Sequence, residues 1–336
     1  MRRFSPHRML RLVGTALAAV LTAALPTACE SIYDELDPCR VGVSLRFVYD
    51  YNMEFANAFP RKVDCLTVLV YDADDRWVET RTVTGPELAD EEYRMVLDLE
   101  PGEYSFVAYG GMACEKSSFT MTPAPAGGAA RGDLRVALDA DCLTDPARKN
   151  LHAMYWGALR LAAADSYAEG TVEMMKNTNN IRIVLQQING KPVDGRDFEF
   201  EITDDNTLFD ADNDLIANGE AAYTPWAVGQ ATTGVLDNGQ EVKVGYAELS
   251  TSRLMTRNSP RLTIRRKDDG AAIVEIPLIR YLLLCKSEYY AEMGSQEFLD
   301  RESEWSWIFF LGEDNLWLRT FIKINDWTVR INDSEL

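Results

Sequence analysis

The stretch Met95-Val-Leu-Asp-Leu-Glu-Pro-Gly-Glu-Tyr-Ser-Phe-Val-Ala-Tyr109 decides the fold class of this chain of 336 residues. Met95, Leu97 and Leu99 share one face of an extended chain, which is the pattern of a strand with one buried side. Pro101-Gly102 favours a turn, and the residues after it are rich in the aromatic and apolar types that favour strands. Two strands joined by such a turn predict an antiparallel β-sandwich.

Similar patterns occur on both sides of this stretch. In residues 41–51, Val43, Leu45 and Phe47 alternate with polar side chains. Residues 63–72 are apolar on both faces, which predicts a central strand that is covered on both sides. Further strands are predicted at 134–138, 170–175, 181–185, 198–202, 242–249, 262–265, 273–284 and 321–331, and a helix is predicted near 288–305.

Many strands and little helix predict an all-β protein with two stacked sandwiches. The length agrees, because the chain without its first 28 residues suits two domains of ordinary size better than one. We assign residues 41–142 to an N-terminal β-sandwich and 143–157 to a connector. Residues 158–336 form a C-terminal β-sandwich in this interpretation, and it contains the helix near 288–305.

The N-terminal segment, residues 1–28, is typical of a secretion signal. Four arginines precede the apolar residues 12–25, and small residues then lead to Cys29. The apolar part is too short to span a bilayer but suits a signal peptide. We predict that Cys29 becomes the lipidated first residue of a lipoprotein and that residues 29–40 form its tether. Pro26 leaves an alternative open, which is ordinary cleavage near Ala28 with Cys29 as a plain thiol.

Composition argues against several function classes. The formal net charge is −19 and no basic patch is evident, so we expect no binding to nucleic acid. The two histidines, His7 and His152, cannot build a site with several histidine ligands once His7 leaves with the signal. No serine-nucleophile or phosphate-loop motif occurs. We therefore predict no catalytic residue, no metal site, no enzyme activity and no cofactor other than the covalent lipid at Cys29.

One acidic segment, Asp210-Ala-Asp-Asn-Asp214, resembles the start of a calcium loop. The glycine of an EF-hand is replaced by Leu215, and its final acid is replaced by Ala221. We interpret the segment as a solvated acidic turn, with a looser calcium site as the alternative.

Five cysteines follow Cys29, and some of them can pair in an oxidising compartment. Cys39, Cys65, Cys114 and Cys142 are the candidates for disulfides, because all four lie in the predicted N-terminal part. The sequence leaves their pairing open. Cys285 ends an apolar run and is predicted to be a buried thiol.

Several stretches together resemble the FimB-type family of minor fimbrial subunits, the fimbrillin-associated anchor proteins of Bacteroidales type V pili. These stretches are Ile32-Tyr-Asp-Glu-Leu-Asp-Pro-Cys39, Val43-Ser-Leu-Arg-Phe47, Asp64-Cys-Leu-Thr-Val-Leu-Val-Tyr-Asp72, Leu99-Glu-Pro-Gly-Glu-Tyr104, Leu249-Ser-Thr-Ser-Arg-Leu254, Gln296-Glu-Phe-Leu-Asp-Arg-Glu302 and Ile324-Asn-Asp-Trp-Thr-Val-Arg330. The resemblance implies two tandem prealbumin (transthyretin)-like sandwiches and an outer-membrane lipid anchor. It also implies a non-catalytic role at the fimbrial base, where the protein ties the fimbria to the cell surface and limits its length.

The resemblance implies that the partners are the major fimbrial subunit and accessory pilus subunits. We expect the C-terminal sandwich to make this contact, because it carries most of the tryptophans: Trp226, Trp305, Trp307, Trp317 and Trp327. The alternative is that these side chains belong to the core. Two other functions remain open, a surface glycan-binding lipoprotein and an accessory or tip adhesin of the pilus.

Overall fold

The computed structural model describes residues 41–164, 166–235, 239, 241–312, 317–324 and 327–331. The segment that contains Cys29 and Cys39 lies outside these residues. In the described part, no helix is long and apolar enough to cross a membrane. The all-β prediction is confirmed, because strands dominate and the α-helices have at most seven residues.

The elements of the first part of the chain run to residue 176. Its strands are β1 (Gly42–Val48), β2 (Leu66–Tyr71), β3 (Trp77–Val83), β4 (Met95–Asp98), β5 (Gly102–Gly110), β6 (Phe119–Met121), β7 (Arg135–Leu138), β8 (Tyr155–Ala163) and β9 (Tyr167–Lys176), and its helices are α1 (Phe59–Lys62) and α2 (Asp141–Thr144). We refer to residues 41–176 as the first half and to residues 177–331 as the second half.

The second half contains the remaining elements. Its strands are β10 (Thr178–Gln187), β11 (Phe198–Asp204), β12 (Leu208–Asp210), β13 (Ala221–Tyr223), β14 (Ala227–Val235), β15 (Glu241–Ser252), β16 (Arg261–Arg266), β17 (Ala272–Pro277), β18 (Glu304–Leu311), β19 (Trp317–Ile324) and β20 (Trp327–Ile331), and its helices are α3 (Leu278–Leu284) and α4 (Ser295–Arg301).

Seven of the nine strands in the first half form one sheet in the order β3-β2-β5-β8-β9-β1-β4. Strands β8 and β9 pair over three residues only, and this short pairing joins β3-β2-β5-β8 to β9-β1-β4. Val43 and Leu45 of β1 pack in one cluster with Val68 and Val70 of β2. Every residue of β2 is buried, so the prediction of a covered central strand is confirmed.

The second half is a sandwich of a six-stranded sheet, β14-β15-β10-β18-β19-β20, and a four-stranded sheet, β13-β11-β16-β17. Ile183 of β10 and Trp307 of β18 are fully buried in its core, as is Ile264 of β16. Strand β10 lies inside the larger sheet, antiparallel to β15 and parallel to β18.

The predicted domain boundary is wrong. Strands β8 and β9, residues 155–176, pair with β5 and β1 and complete the first sheet, although we assigned them to the connector and the C-terminal sandwich. Several side chains of β8 are only partly buried or exposed. Its sequence therefore shows only weak alternation of apolar and polar residues, and this alternation is not enough to predict the strand.

Three predicted elements near the C-terminus also need correction. Of residues 273–284, only the first part is strand, because Leu278, Tyr281 and Leu282 follow a helical period and form the buried face of α3. The helix predicted near 288–305 is reduced to α4, which begins after Gly294, and β18 starts at Glu304. Residues 321–331 contain the end of β19 and the whole of β20, which pair antiparallel with each other.

Candidate functional site: the junction between the two halves

The two halves share a small sheet. Strand β12 of the second half pairs antiparallel with β7 of the first half, and β7 also pairs with β6. Phe209 of β12 is fully buried and meets the Phe119 ring edge-on, with 6.2 Å between the ring centroids. One apolar cluster therefore extends from Leu69 and Val107 in the first half to the core of the second. Backbone hydrogen bonds and apolar burial both join the halves.

The acidic turn that follows β12 binds the first half through Asp212. Arg131 forms an ion pair with Asp212 at 2.5 Å and also donates to the carbonyl of Ala211. The Arg131 bond lowers the pKa of the Asp212 carboxyl below its usual range. Asp210 Oδ1 accepts the backbone N–H groups of Asp212 and Asp214, each at 2.9 Å. The segment that resembled a calcium loop is thus an acidic turn whose carboxylates already have hydrogen-bond partners.

A pair of buried asparagines closes the same turn. The side-chain amides of Asn177 and Asn213 exchange two hydrogen bonds, at 2.6 and 3.0 Å, and both residues are almost fully buried. Asn213 has a φ of +65°, a conformation that asparagine tolerates better than most residues. Asn177 lies where the chain passes from β9 into β10, so this pair fastens the turn to the crossing point between the halves.

Arg253 and Asp300 form a buried ion pair within the second half, beside the junction. The guanidinium donates to both carboxylate oxygens of Asp300 at 2.8 Å and to the carbonyl of Asn213 at 2.7 Å. The two side chains are 11% and 5% exposed. Gln296 also donates to Asp300, at 3.0 Å. Arg253 therefore holds the acidic turn on one side and helix α4 on the other.

Arg301, the neighbour of Asp300, reaches the first half. Its Nη1 donates to the carbonyls of Asp50 and Asn52 at 3.3 and 3.5 Å. Its guanidinium lies 4.1 Å from the ring centroid of Tyr51 and 4.7 Å from that of Phe55, in cation–π contact with both. Phe55 is half-exposed and has a φ of +51°, an uncommon conformation for a bulky residue. The loop after β1 is thereby fixed against α4.

A cleft of about 610 Å³ opens beside these contacts, between the loop after β1 and the start of β18. Tyr49, Tyr155, Lys176 and Glu302 are among its lining residues. Burial raises the pKa of the Glu302 carboxyl above its usual range. The mixture of hydroxyl, ammonium and carboxyl groups suits a polar ligand rather than an apolar one.

The tryptophans are divided between core and surface. Trp305 and Trp307 are buried, which confirms the core interpretation for these two. Trp317 packs against Tyr281 and Phe309, and Trp226 is 40% exposed. The side chain of Trp327 lies outside the described residues. Tryptophan content is therefore no argument for a contact surface.

Of the predicted disulfide cysteines, Cys65 and Cys114 are bonded, with their Cα atoms 5.6 Å apart. The prediction for Cys142 is wrong: this residue is a buried free thiol, enclosed in the apolar cluster of the junction. Cys285 is a buried free thiol as predicted, and burial raises its pKa to about 12. Cys29 and Cys39 lie outside the described residues.

Sequence reasoning missed the junction as a site. Arg253 and Asp300 lie 47 positions apart, and neither was singled out for any role. The available signal was that both residues belong to stretches that carry the family resemblance, Leu249-Ser-Thr-Ser-Arg-Leu254 and Gln296-Glu-Phe-Leu-Asp-Arg-Glu302.

We predict that Arg253→Met lowers the free energy of unfolding by about 3–5 kcal/mol, because it leaves the Asp300 carboxylate buried without its cation. The double variant Arg253→Met/Asp300→Leu regains most of this loss. The matched control is Arg261→Met, which breaks the half-exposed Arg261–Glu275 pair and costs at most about 1 kcal/mol. Urea unfolding measures all three variants. If Arg253→Met lost no more unfolding free energy than Arg261→Met, Asp300 would not depend on Arg253 as its buried cation.

A second prediction concerns Asp204, at the end of β11. One carboxylate oxygen accepts from Asn258 and from the Asp205 N–H, and the other is buried without a hydrogen-bond partner in the described residues. Burial raises the pKa of Asp204 from 3.8 to about 6. Asp204 therefore binds its proton more tightly in the native state than in the unfolded state. The stability that protonated Asp204 contributes to the native state is lost as the pH rises through 6.

The protein should gain about 1 kcal/mol of unfolding free energy from Asp204 when the pH is lowered from 7.5 to 5. Asp204→Asn should remove that gain, whereas the neighbouring control Asp205→Asn should keep it. Urea titrations at the two pH values measure the difference. Equal pH dependence in Asp204→Asn and the unmodified protein would show that Asp204 does not titrate in this range.

Comparison with known proteins agrees with the fold. The chain matches the family model of fimbrillin-A associated anchor proteins Mfa1 and Mfa2 over residues 36–333. A crystal structure of a candidate adhesin from Bacteroides thetaiotaomicron is 67% identical, with a TM-score of 0.85, and the match covers 89% of this chain and all of that one. No match is found among the curated proteins.

Two other solved structures are more distant. A candidate polysaccharide-binding protein from the same organism is 27% identical, with a TM-score of 0.73, over 89% of this chain and all of that one. The fimbrial anchor protein Mfa2 from Porphyromonas gingivalis is 14% identical and has the same fold, with a TM-score of 0.64 over 86% of this chain and 98% of that one. The match over residues 36–333 spans all of the described residues, and the chain therefore belongs to the family of fimbrillin-A associated anchor proteins.

Proposed function

We propose that this fimbrial accessory protein is an outer-membrane lipoprotein that anchors a fimbria to the cell surface and limits its length. The observation that carries the proposal is the position of Cys29, which closes a signal-like segment seven residues before the family match begins at residue 36. A lipid on Cys29 would fix one end of the chain, and two or more acyl chains are needed for stable anchoring. The role is structural and non-catalytic.

The sheet order supports a load-bearing role. Strand β1 follows the tether and pairs with β9 in parallel. β9 continues through Asn177 into β10, which lies inside the six-stranded sheet of the second half. Tension that enters at residue 41 would pass through β1 and β9 to the core of the second half without crossing a flexible linker. The contacts of Asn213 and Arg301 hold this path at the junction.

We place the contact with the fimbrial subunit at the free edge of β14. This strand ends the six-stranded sheet, pairs with β15 alone among the residues that the structure describes, and has its last six residues exposed. An unpaired strand edge can accept an extended segment from another chain through backbone hydrogen bonds. The edge belongs to the second half, which is the half farther along the chain from Cys29.

The test of anchoring is Cys29→Ser in cells that make fimbriae, with Ser31→Ala as a neighbouring control that keeps the cysteine. We expect Cys29→Ser cells to shed fimbriae or to carry overlong ones, because the anchor is no longer held by lipid. Electron microscopy of attached and released fibres gives the counts. If fibres stayed attached at normal length while the variant protein was made and exported, the anchor proposal would fail.

The test of the contact surface uses Ala231→Pro and Thr232→Pro. Adjacent residues of a strand direct their N–H groups to opposite sides, so one variant removes a bond to β15 and the other removes a free-edge donor. Thermal melting identifies the variant that leaves the fold intact. That variant should bind the purified fimbrial subunit at least about tenfold more weakly, which corresponds to a loss of roughly 1.4 kcal/mol of binding free energy. Normal binding by it would exclude the β14 edge.

Glycan binding is the second candidate, because a neighbour that is 27% identical is described as polysaccharide-binding and the junction contains the cleft of about 610 Å³. An adhesin role has similar support from the neighbour that is 67% identical. Both roles predict that soluble glycans or host proteins bind the purified chain, whereas the anchor role predicts binding to a fimbrial subunit. Attached fibres in Cys29→Ser cells would favour these two candidates.

A further inference from the structure

Asp64, Cys114 and His152 bring three metal-binding atom types together on the first half. One ligand atom of each lies within 4.8 Å of the others. Asp64 Oδ1 is 3.2 Å from His152 Nε2 and 2.9 Å from Cys114 Sγ. Cys114 is bonded to Cys65, so the Cys65 sulfur lies next to Cys114 Sγ, outside this group of three, and would be the fourth ligand atom once the disulfide opens. Two sulfurs, an imidazole nitrogen and a carboxylate oxygen are a ligand set that zinc accepts.

The backbone around these residues is fixed. The carbonyl of Cys65 accepts from the N–H of Gly111, just after β5, and the N–H of His152 donates to Ser118 Oγ at 2.8 Å. Gly111 has a φ of +80°, and a Cβ there would lie 1.9 Å from the carbonyl oxygen of Ala153. Glycine is therefore required for the close approach of the β5 end to the segment that carries His152.

The distances come close to those of tetrahedral coordination, although both are shorter. Zinc bonds of about 2.0 Å to oxygen or nitrogen and about 2.3 Å to sulfur place ligand atoms roughly 3.3–3.8 Å apart at the corners of a tetrahedron. The Asp64–His152 and Asp64–Cys114 distances of 3.2 and 2.9 Å lie just below this range. The sulfur in a disulfide has no proton, so the contact between Cys114 and Asp64 is not a hydrogen bond. A cation between these atoms would replace a contact between two acceptors.

We propose that reduction of the Cys65–Cys114 disulfide creates a zinc site formed by Cys65, Cys114, His152 and Asp64. A dithiol reductant supplies two electrons and two protons, is itself oxidised to a disulfide, and leaves two thiols on the protein. Zn²⁺ then binds as both thiols lose their protons, with neutral His152 and the Asp64 carboxylate completing four ligands. The Asp64 side chain is 58% exposed, which leaves an entry path for the ion.

The consequence is that the loop after β5 stays tied to the start of β2 in either redox state. The disulfide ties it under oxidising conditions, and the metal ties it when the thiols are reduced. Cys65 directly precedes β2, the fully buried strand that separates the core of the first half from the junction. Loss of both connections would loosen the strand on which the two clusters pack.

The experiment titrates zinc into the purified protein in two states, with the disulfide intact and after reduction by a trialkylphosphine. The phosphine becomes its oxide, taking oxygen from water, and adds no competing thiol. A chromophoric zinc indicator reports affinity and stoichiometry, and cobalt(II) serves as a spectroscopic probe of tetrahedral thiolate coordination. We expect one zinc per reduced chain and none per oxidised chain, with a higher melting temperature for the reduced chain in zinc.

Variants separate this site from adventitious binding. His152→Ala and Asp64→Asn should each weaken zinc binding by the reduced chain more than about tenfold, since even outer-shell changes commonly cost that much. Cys39→Ser, Cys142→Ser and Cys285→Ser are the matched controls and should bind one equivalent. Equal binding by the oxidised chain, or unchanged binding in His152→Ala, overturns the proposal. If the reduced chain unfolds, refolding on addition of zinc supports the site, and failure to refold overturns it.

Discussion

The ion pair between Arg253 and Asp300 lies within the second half and holds in place the two segments of that half that reach the first half, the acidic turn after β12 and helix α4. Burying two charges is favourable only when their hydrogen-bonding groups are satisfied, and here the third partner of the guanidinium is the carbonyl of Asn213. The residues next to these partners, Asp212 and Arg301, are the ones that bind the first half. Arg253 thus orients both the acidic turn at residues 210–214 and helix α4, whose residues contact the first half.

The junction explains why two sandwiches in one chain can act as one body. Contacts between domains are ordinarily modest and leave the domains free to move. In this protein the halves share the β12-β7-β6 sheet and one apolar cluster that includes Phe209. The load-bearing role proposed above would need this property, because a flexible hinge would extend under tension before the force reached the second sandwich.

The sequence predicts the fold class well because alternation records which face of a strand is buried. The patterns of β1, β10 and β11 predict strands for this reason, whereas β2 is predicted because its residues are apolar on both faces. Strand β14 was missed because most of its side chains are exposed and leave no apolar period. The junction was missed for a different reason: its polar pairs join residues far apart in the chain, and neither partner of a pair such as Arg253–Asp300 has a periodic signature. Only the resemblance marked those stretches as unusual.

Native-state hydrogen exchange tests the central claim, that the two halves are one cooperative unit. The amides of β2 report on the first half and those of β10 on the second, and both strands lie inside their sheets. The account predicts that the slowest amides of the two strands exchange with the same free energy, equal to that of global unfolding. A clearly lower free energy for one strand would mean that its half opens alone, and the single-body account would be contradicted.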